Sequence, residues 1–107
     1  MGRKRILIIT NSIDETASYI VNKYSSFADF FRVDVDKFDQ YRFYIDNKGW
    51  NISDNNSKVT SSDIYSIYYR KPMLPDLSSY DLQYHSMIQR DIISVINGIV
   101  DSFSGKV

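Results

Sequence analysis

Four consecutive aliphatic residues, Ile6-Leu7-Ile8-Ile9, constrain this chain more than any other feature. A strand half exposed to water alternates apolar and polar side chains, whereas one with no polar side must be covered on both faces. The segment Arg5 to Thr10 therefore predicts the central strand of a mainly parallel sheet with helices against it, an α/β fold. Asn11-Ser12-Ile13-Asp14-Glu15 follows as a polar turn. Within it Ser12 and Glu15 have the S-x-x-E spacing of a capping box, in which each side chain satisfies an orphan N–H of a helix start. Ala17, Ile20, Val21 and Tyr24 then recur on one face at helical spacing. Phe31, Val33 and Val35 alternate with Arg32, Asp34 and Asp36, predicting a second strand over Phe30 to Val35. A strand–helix–strand unit with so short a crossover is right-handed in nearly every fold.

Lys37 to Gln40 reads as a helical turn or loop. Tyr41 to Ile45 alternates like a strand, and Asp46-Asn47-Lys48-Gly49 supplies a turn with glycine where positive φ is wanted. Trp50 to Ser53 returns as the antiparallel partner, giving an inserted hairpin at the sheet edge, and a short extended piece follows around Lys58 to Thr60. Ile64 to Arg70 is a further strand, ended by Lys71-Pro72-Met73-Leu74-Pro75, since proline donates nothing to a ladder and restrains the residue before it. From about Ser79 the period turns helical, with Ile88, Ile92, Val95, Ile96, Ile99 and Phe103 as one stripe of a long carboxyl-terminal helix. Gly98 lies inside that helix, where close packing would explain it. Ser104 to Val107 reads as a helix end.

Length and charge narrow the function classes. The 107 residues suit one domain, 1–107, with a single core. Thirteen basic and thirteen acidic side chains cancel, so the chain has no field with which to gather nucleic acid. The basic cluster Gly2-Arg3-Lys4-Arg5 is a solvated lead-in to the first strand. Cysteine is absent, which removes thiolate nucleophiles, thiolate zinc sites and disulfides, and together with the lack of a signal sequence points to the cytoplasm. The longest aliphatic run is far short of a membrane span, so no membrane partner is expected. Nine tyrosines suit a partly buried sheet or a docking face, because the ring buries while the hydroxyl keeps a polar partner.

Signatures of catalysis are mostly missing. The glycines Gly2, Gly49, Gly98 and Gly105 are scattered, so neither a dinucleotide fingerprint nor a phosphate-cradling loop exists, and the first strand-to-helix turn has no glycine. The single histidine, His85, cannot build a histidine metal site and is assigned to packing or the surface. No catalytic residue and no metal ligand is assigned. Asp34 and Asp36 fall at the carboxyl end of a strand, the edge where open α/β sheets bind ligands, on one face by alternation. They read either as solvated strand-end residues or as a pair placed to hold a magnesium ion. Asn11 sits at the same edge. Tyr69, Arg70 and Lys71 end another strand there, and an arginine so placed can pair bidentately with a carboxylate or phosphate in a way lysine cannot.

The order of these pieces resembles a known family. An I-L-I-I-T-N-S-x-D opening, F-R-V-D-V-D-K-F, a hairpin, I-Y-Y-R-K-P and a long helix are similar to the amino-terminal, pre-ATP-grasp domain of ATP-grasp ligases that mature ribosomally made peptides, the microviridin or graspetide type. There the corresponding segments often read F-R-F-D-T-D-R-F and V-W-Y-R-R-P. This chain departs at Tyr68, where tryptophan is frequent, and at Lys71, where a second arginine is common. The resemblance implies a Rossmann-like three-layer fold and a three-domain parent enzyme. Such an enzyme phosphorylates a precursor-peptide carboxylate with ATP and Mg²⁺, then lets a hydroxyl or amine displace phosphate to form an ester or amide. Its nucleotide and metal residues lie mainly in domains that would follow Val107, so this piece alone is expected to be inactive and to carry no cofactor. The implied partners are the downstream ATP-grasp domains, the precursor peptide and a second copy in a homodimer. Arg70, Lys71, Tyr69, Asn11, Asp34 and Asp36 are the expected substrate- or anion-facing residues. Two other readings stand beside this one: a freestanding Rossmann-like interaction module, and the equivalent domain of another ATP-grasp ligase.

Overall fold

In the computed structural model, which describes residues 4–103, the aliphatic run is where its composition requires it to be. Strand β1 (Lys4–Thr10) is the middle of a parallel three-stranded sheet, between β2 (Ala28–Asp34) and β6 (Ile64–Tyr69). The register pairs Leu7 with Phe31 and Ile67, and Ile9 with Val33 and Tyr69, so these six share one face. Ile6, Ile8 and Thr10 lie with Phe30, Arg32 and Asp34 on the other. Leu7, Ile8, Ile9 and Thr10 are all at most 1% exposed, which confirms a strand covered on both sides.

The first face packs against the long helix α2 (His85–Ser102) through Ile92, Ile96 and Ile99. Trp50, Ile52 and Val59 of a second sheet complete the same cluster. The opposite face carries α1 (Glu15–Lys23), whose Ala17 is fully buried and whose Ser18 takes a hydrogen bond from Arg32 of β2. The three layers expected from the sequence are thus formed. Each aliphatic side chain buried in them contributes about 1.5–3 kcal/mol over leaving it in water.

The hairpin is present as β3 (Arg42–Asp46) and β4 (Gly49–Ser53). The extended piece at Lys58–Thr60 becomes its third strand, β5, with Val59 opposite Ile52. These strands pair with one another and form their own sheet, ordered β3-β4-β5, rather than extending the parallel one. Gly49 closes the turn with φ of +146°, and a Cβ there would lie 2.3 Å from Ser61 Oγ. Positive φ and close approach both require glycine. At Gly98, by contrast, a Cβ would meet nothing nearer than Ile45 Cδ1 at 4.0 Å, so close packing does not explain that glycine.

Two boundaries differ from the sequence pattern. Strand β2 stops at Asp34, and Val35–Gln40 turn as 3-10 helix. At the end of β2 the Tyr41 hydroxyl accepts from Asp34 N at 3.0 Å and donates to Arg32 O at 3.1 Å. Helix α2 begins at His85, not near Ser79. Asp76 accepts from Ser78 N, Tyr80 N donates to Leu77 O, and a 3-10 turn at Leu82–Tyr84 intervenes. His85 Nε2 lies 3.0 Å from Tyr80 O, a local role at the helix start. The basic lead-in at Gly2 and Arg3 and the helix end at Ser104 to Val107 lie outside the described residues.

Candidate functional site

The three parallel strands run out at one edge, the edge where open α/β sheets bind ligands. What is built there begins with the turn between β1 and α1. Asp14, not Ser12, is the helix N-cap, accepting from Ala17 N at 3.1 Å. The expected capping box is therefore not formed. Ser12 instead donates through both its amide (2.8 Å) and its hydroxyl (2.5 Å) to the carboxylate of Asp36. Asn11 folds over the turn, accepting from Ile13 N at 3.0 Å and donating through Nδ2 to Lys71 O at 2.7 Å.

Two arginines clamp this turn, one from each flanking strand. Arg32 of β2 donates to Asp34 (2.7 Å), Ser18 Oγ (2.8 Å) and the carbonyls of Asn11 (2.8 Å) and Asp14 (3.3 Å). Arg70, just beyond β6, donates to Asp14 through Nε at 2.7 Å and Nη2 at 3.3 Å, and its Nη1 reaches the Tyr68 hydroxyl at 3.3 Å. Its backbone N–H prolongs the ladder to Ile9 O. Thr10 Oγ1 donates to the same Asp14 carboxylate.

Asp14 is 4% exposed and Arg70 16%, so their ion pair is largely withdrawn from water. The Arg70 guanidinium, with the Thr10 hydroxyl second, holds the Asp14 carboxyl well below the usual carboxylate range despite burial. Asp14 in turn raises Arg70 above its ordinary value. Burial pushes the Asp36 carboxyl up, but the hydroxyl and amide of Ser12 outweigh it, and its pKa is lowered. Three carboxylates and two guanidiniums at this edge are thus consumed in holding the turn.

The expected site residues divide accordingly. Asn11, Arg70 and Lys71 come together around one shallow depression that Asp14 and Met73 also line. Asp36 joins through Ser12. Asp34 and Asp36 do not act as a pair: Asp34 holds Arg32 and Asp36 holds Ser12. Tyr69 is on the α2 side of the sheet, 43% exposed, among Val35, Met73 and Ile92. Among the described residues no ion pair engages Lys71, and no cluster of three His, Asp or Glu could hold a metal. The Asp14 carboxylate already occupies the start of α1, the position a phosphate would take.

Asp14 and Arg32 were not singled out from the sequence. Asp14 carried a signal, three residues before Ala17 at a helix start, but Ser12 offered the same reading. Arg32 lay in plain view within F-R-V-D as the polar member of an alternating strand.

A family model described as the MvdD pre-ATP grasp domain matches residues 5–107. No curated protein gives a significant sequence match. Among solved structures, the chain is similar to macrocyclase MdnC bound with precursor peptide MdnA from Microcystis aeruginosa MRC, at 23% identity and a TM-score of 0.85, over 94% of this chain and 35% of that one. It is also similar to a Chryseobacterium gregarium RiPP-associated ATP-grasp ligase in complex with ADP and a leader and core peptide. That match has 19% identity and a TM-score of 0.74, over 95% and 34% of the two chains. Macrocyclase MdnB from M. aeruginosa MRC matches at 26% identity and a TM-score of 0.61, over 96% and 36%. The chain spans about a third of the length of each.

Proposed function

The chain belongs to the MvdD pre-ATP-grasp domain family, and on that premise we propose that it is the amino-terminal domain of a ligase that crosslinks a ribosomally made precursor peptide. The observation that carries this reading is the family match from residue 5 to 107, which takes in every element of the fold. The similar structures support it: one holds a precursor peptide, and another holds ADP with a leader and core peptide.

In this reading the parent enzyme uses ATP and Mg²⁺ to phosphorylate a side-chain carboxylate of the peptide. A hydroxyl or amine of the same peptide then displaces phosphate, giving an ester or an amide. The nucleotide is assigned to other parts of the ligase, a reading supported by the Asp14 cap at the start of α1. This domain contributes a wall of the substrate cleft. Arg32 and Arg70 act as positioning residues that fix the β1–α1 turn, and Lys71, exposed beside it, presents a cation to the anionic peptide.

The test is incubation of the full-length ligase with its precursor peptide, ATP and Mg²⁺, followed by mass spectrometry. Loss of one water per crosslink, dependent on ATP, is expected. An unmodified peptide despite ATP consumption would overturn the reading.

A further inference from the structure

Resting on the peptide-ligase reading, we propose that a cavity on the α2 side of the carboxyl edge, together with Lys71, seats one apolar side chain of the precursor peptide beside one of its carboxylates. The cavity measures about 190 Å³ and is lined by Val35, Tyr69, Met73, Leu74, Ile93 and Ile96, with Asn97 as a polar neighbour. It lies between α2 and the Pro72–Leu74 segment that follows β6. An apolar cavity of roughly 150 Å³ accepts a benzene molecule, whereas small-molecule sites run about 300–1,000 Å³. The volume therefore fits a single apolar side chain.

Its walls are open to arriving chain. Tyr69 is 43% exposed, Met73 46%, Leu74 38% and Ile93 47%, a cluster of large apolar side chains of the kind that marks an interaction site. Met73 also lines the depression that holds Asn11, Asp14, Arg70 and Lys71, so the apolar cavity and the polar depression share a wall. Within that depression Asp14 and Arg70 neutralise each other. Glu15 also lines it, in the first turn of α1 where negative charge suits the helix dipole. Lys71 is two residues from Met73, and no ion pair engages it among the described residues. An apolar side chain next to a carboxylate matches this arrangement of cavity and ammonium, and a ligase that activates peptide carboxylates works on acidic peptides.

Steady-state kinetics of the full-length ligase on its own precursor peptide test the proposal. Ile93→Asp puts a charge into the cavity from a side chain already half in water, so melting of the variant should match the parent protein. Its KM for peptide is expected to rise about tenfold or more, with the KM for ATP moving by less than about twofold. Lys71→Glu is expected to raise the peptide KM too, and a peptide with lysine in place of the contacted acidic residue to recover it. Unchanged peptide KM in both variants of a working enzyme overturns the proposal and leaves the ligase reading intact. A lowered melting temperature for Ile93→Asp with unchanged peptide KM also overturns it, because the rest of the ligase then fills the cavity. If the parent ligase does not modify the peptide at all, the ligase reading itself fails.

Discussion

Replacing Arg32 by lysine keeps the charge and removes the fork, and so isolates what the guanidinium geometry contributes. Three of its hydrogen bonds are short: to Asp34 at 2.7 Å, and to Ser18 Oγ and Asn11 O at 2.8 Å each. An ammonium is a point donor that reaches the Asp34 side or the turn, not both. Two short bonds from a charged donor are lost, at about 1.5–3 kcal/mol each. The Arg32 side chain is 21% exposed, so water replaces part of the loss and the low end applies. The expected cost is about 3 kcal/mol, or a melting temperature lower by about 12–24 °C for a chain of this size. Circular dichroism melts at neutral pH give the shift, and amide exchange at Ser12 and Ile13 should quicken more than exchange in α2. Arg42, exposed at the start of β3, is the control for a lysine swap without a fork to lose. A shift below about 4 °C, less than about 1 kcal/mol, would refute the idea that this arginine holds the turn.

The two interior glycines should respond with opposite signs. Gly98→Ala has open space around its Cβ and should stabilise α2 by about 0.5–1 kcal/mol. Gly49→Ala meets Ser61 Oγ and positive φ and should lower the melting temperature. Stability should also fall in acid. The folded-state pKa of Asp14 lies below the ordinary aspartate value of 3.8, so its contribution is complete above that value and is lost as pH falls toward the folded-state value. Asp14→Asn should flatten the slope below about pH 4, and an unchanged slope would mean that other carboxylates dominate.

Local pattern and long-range pairing were not equally legible in the sequence. Ile6 to Ile9 disclosed a strand buried on both faces because that fact is written in four adjacent side chains. The stripe from Ile88 to Ile99 disclosed α2 for the same reason. The turn was misread at its cap because Ser12 and Asp14 are both good N-caps. The choice was made by Arg70, 56 residues away, which binds the carboxylate of Asp14. The same distance hid the state of Arg70: from the strand end it reads as an anion binder, while the fold gives it an internal partner. The Tyr41 hydroxyl binds the backbone of β2 at Asp34, a side-chain contact that no alternation pattern registers. Of the residues singled out from the sequence, Asn11, Arg70 and Lys71 come together at one sheet edge, while Tyr69 lies on the α2 side of the sheet.

If this domain shapes a ligase without carrying its nucleotide site, calorimetric titration of Mg²⁺-ATP into the 107-residue chain tests that most directly. With Asp14 seated at the start of α1 and bound by Arg70, no saturable heat is expected. Binding at a Kd near 1 μM, about −8 kcal/mol, would contradict it.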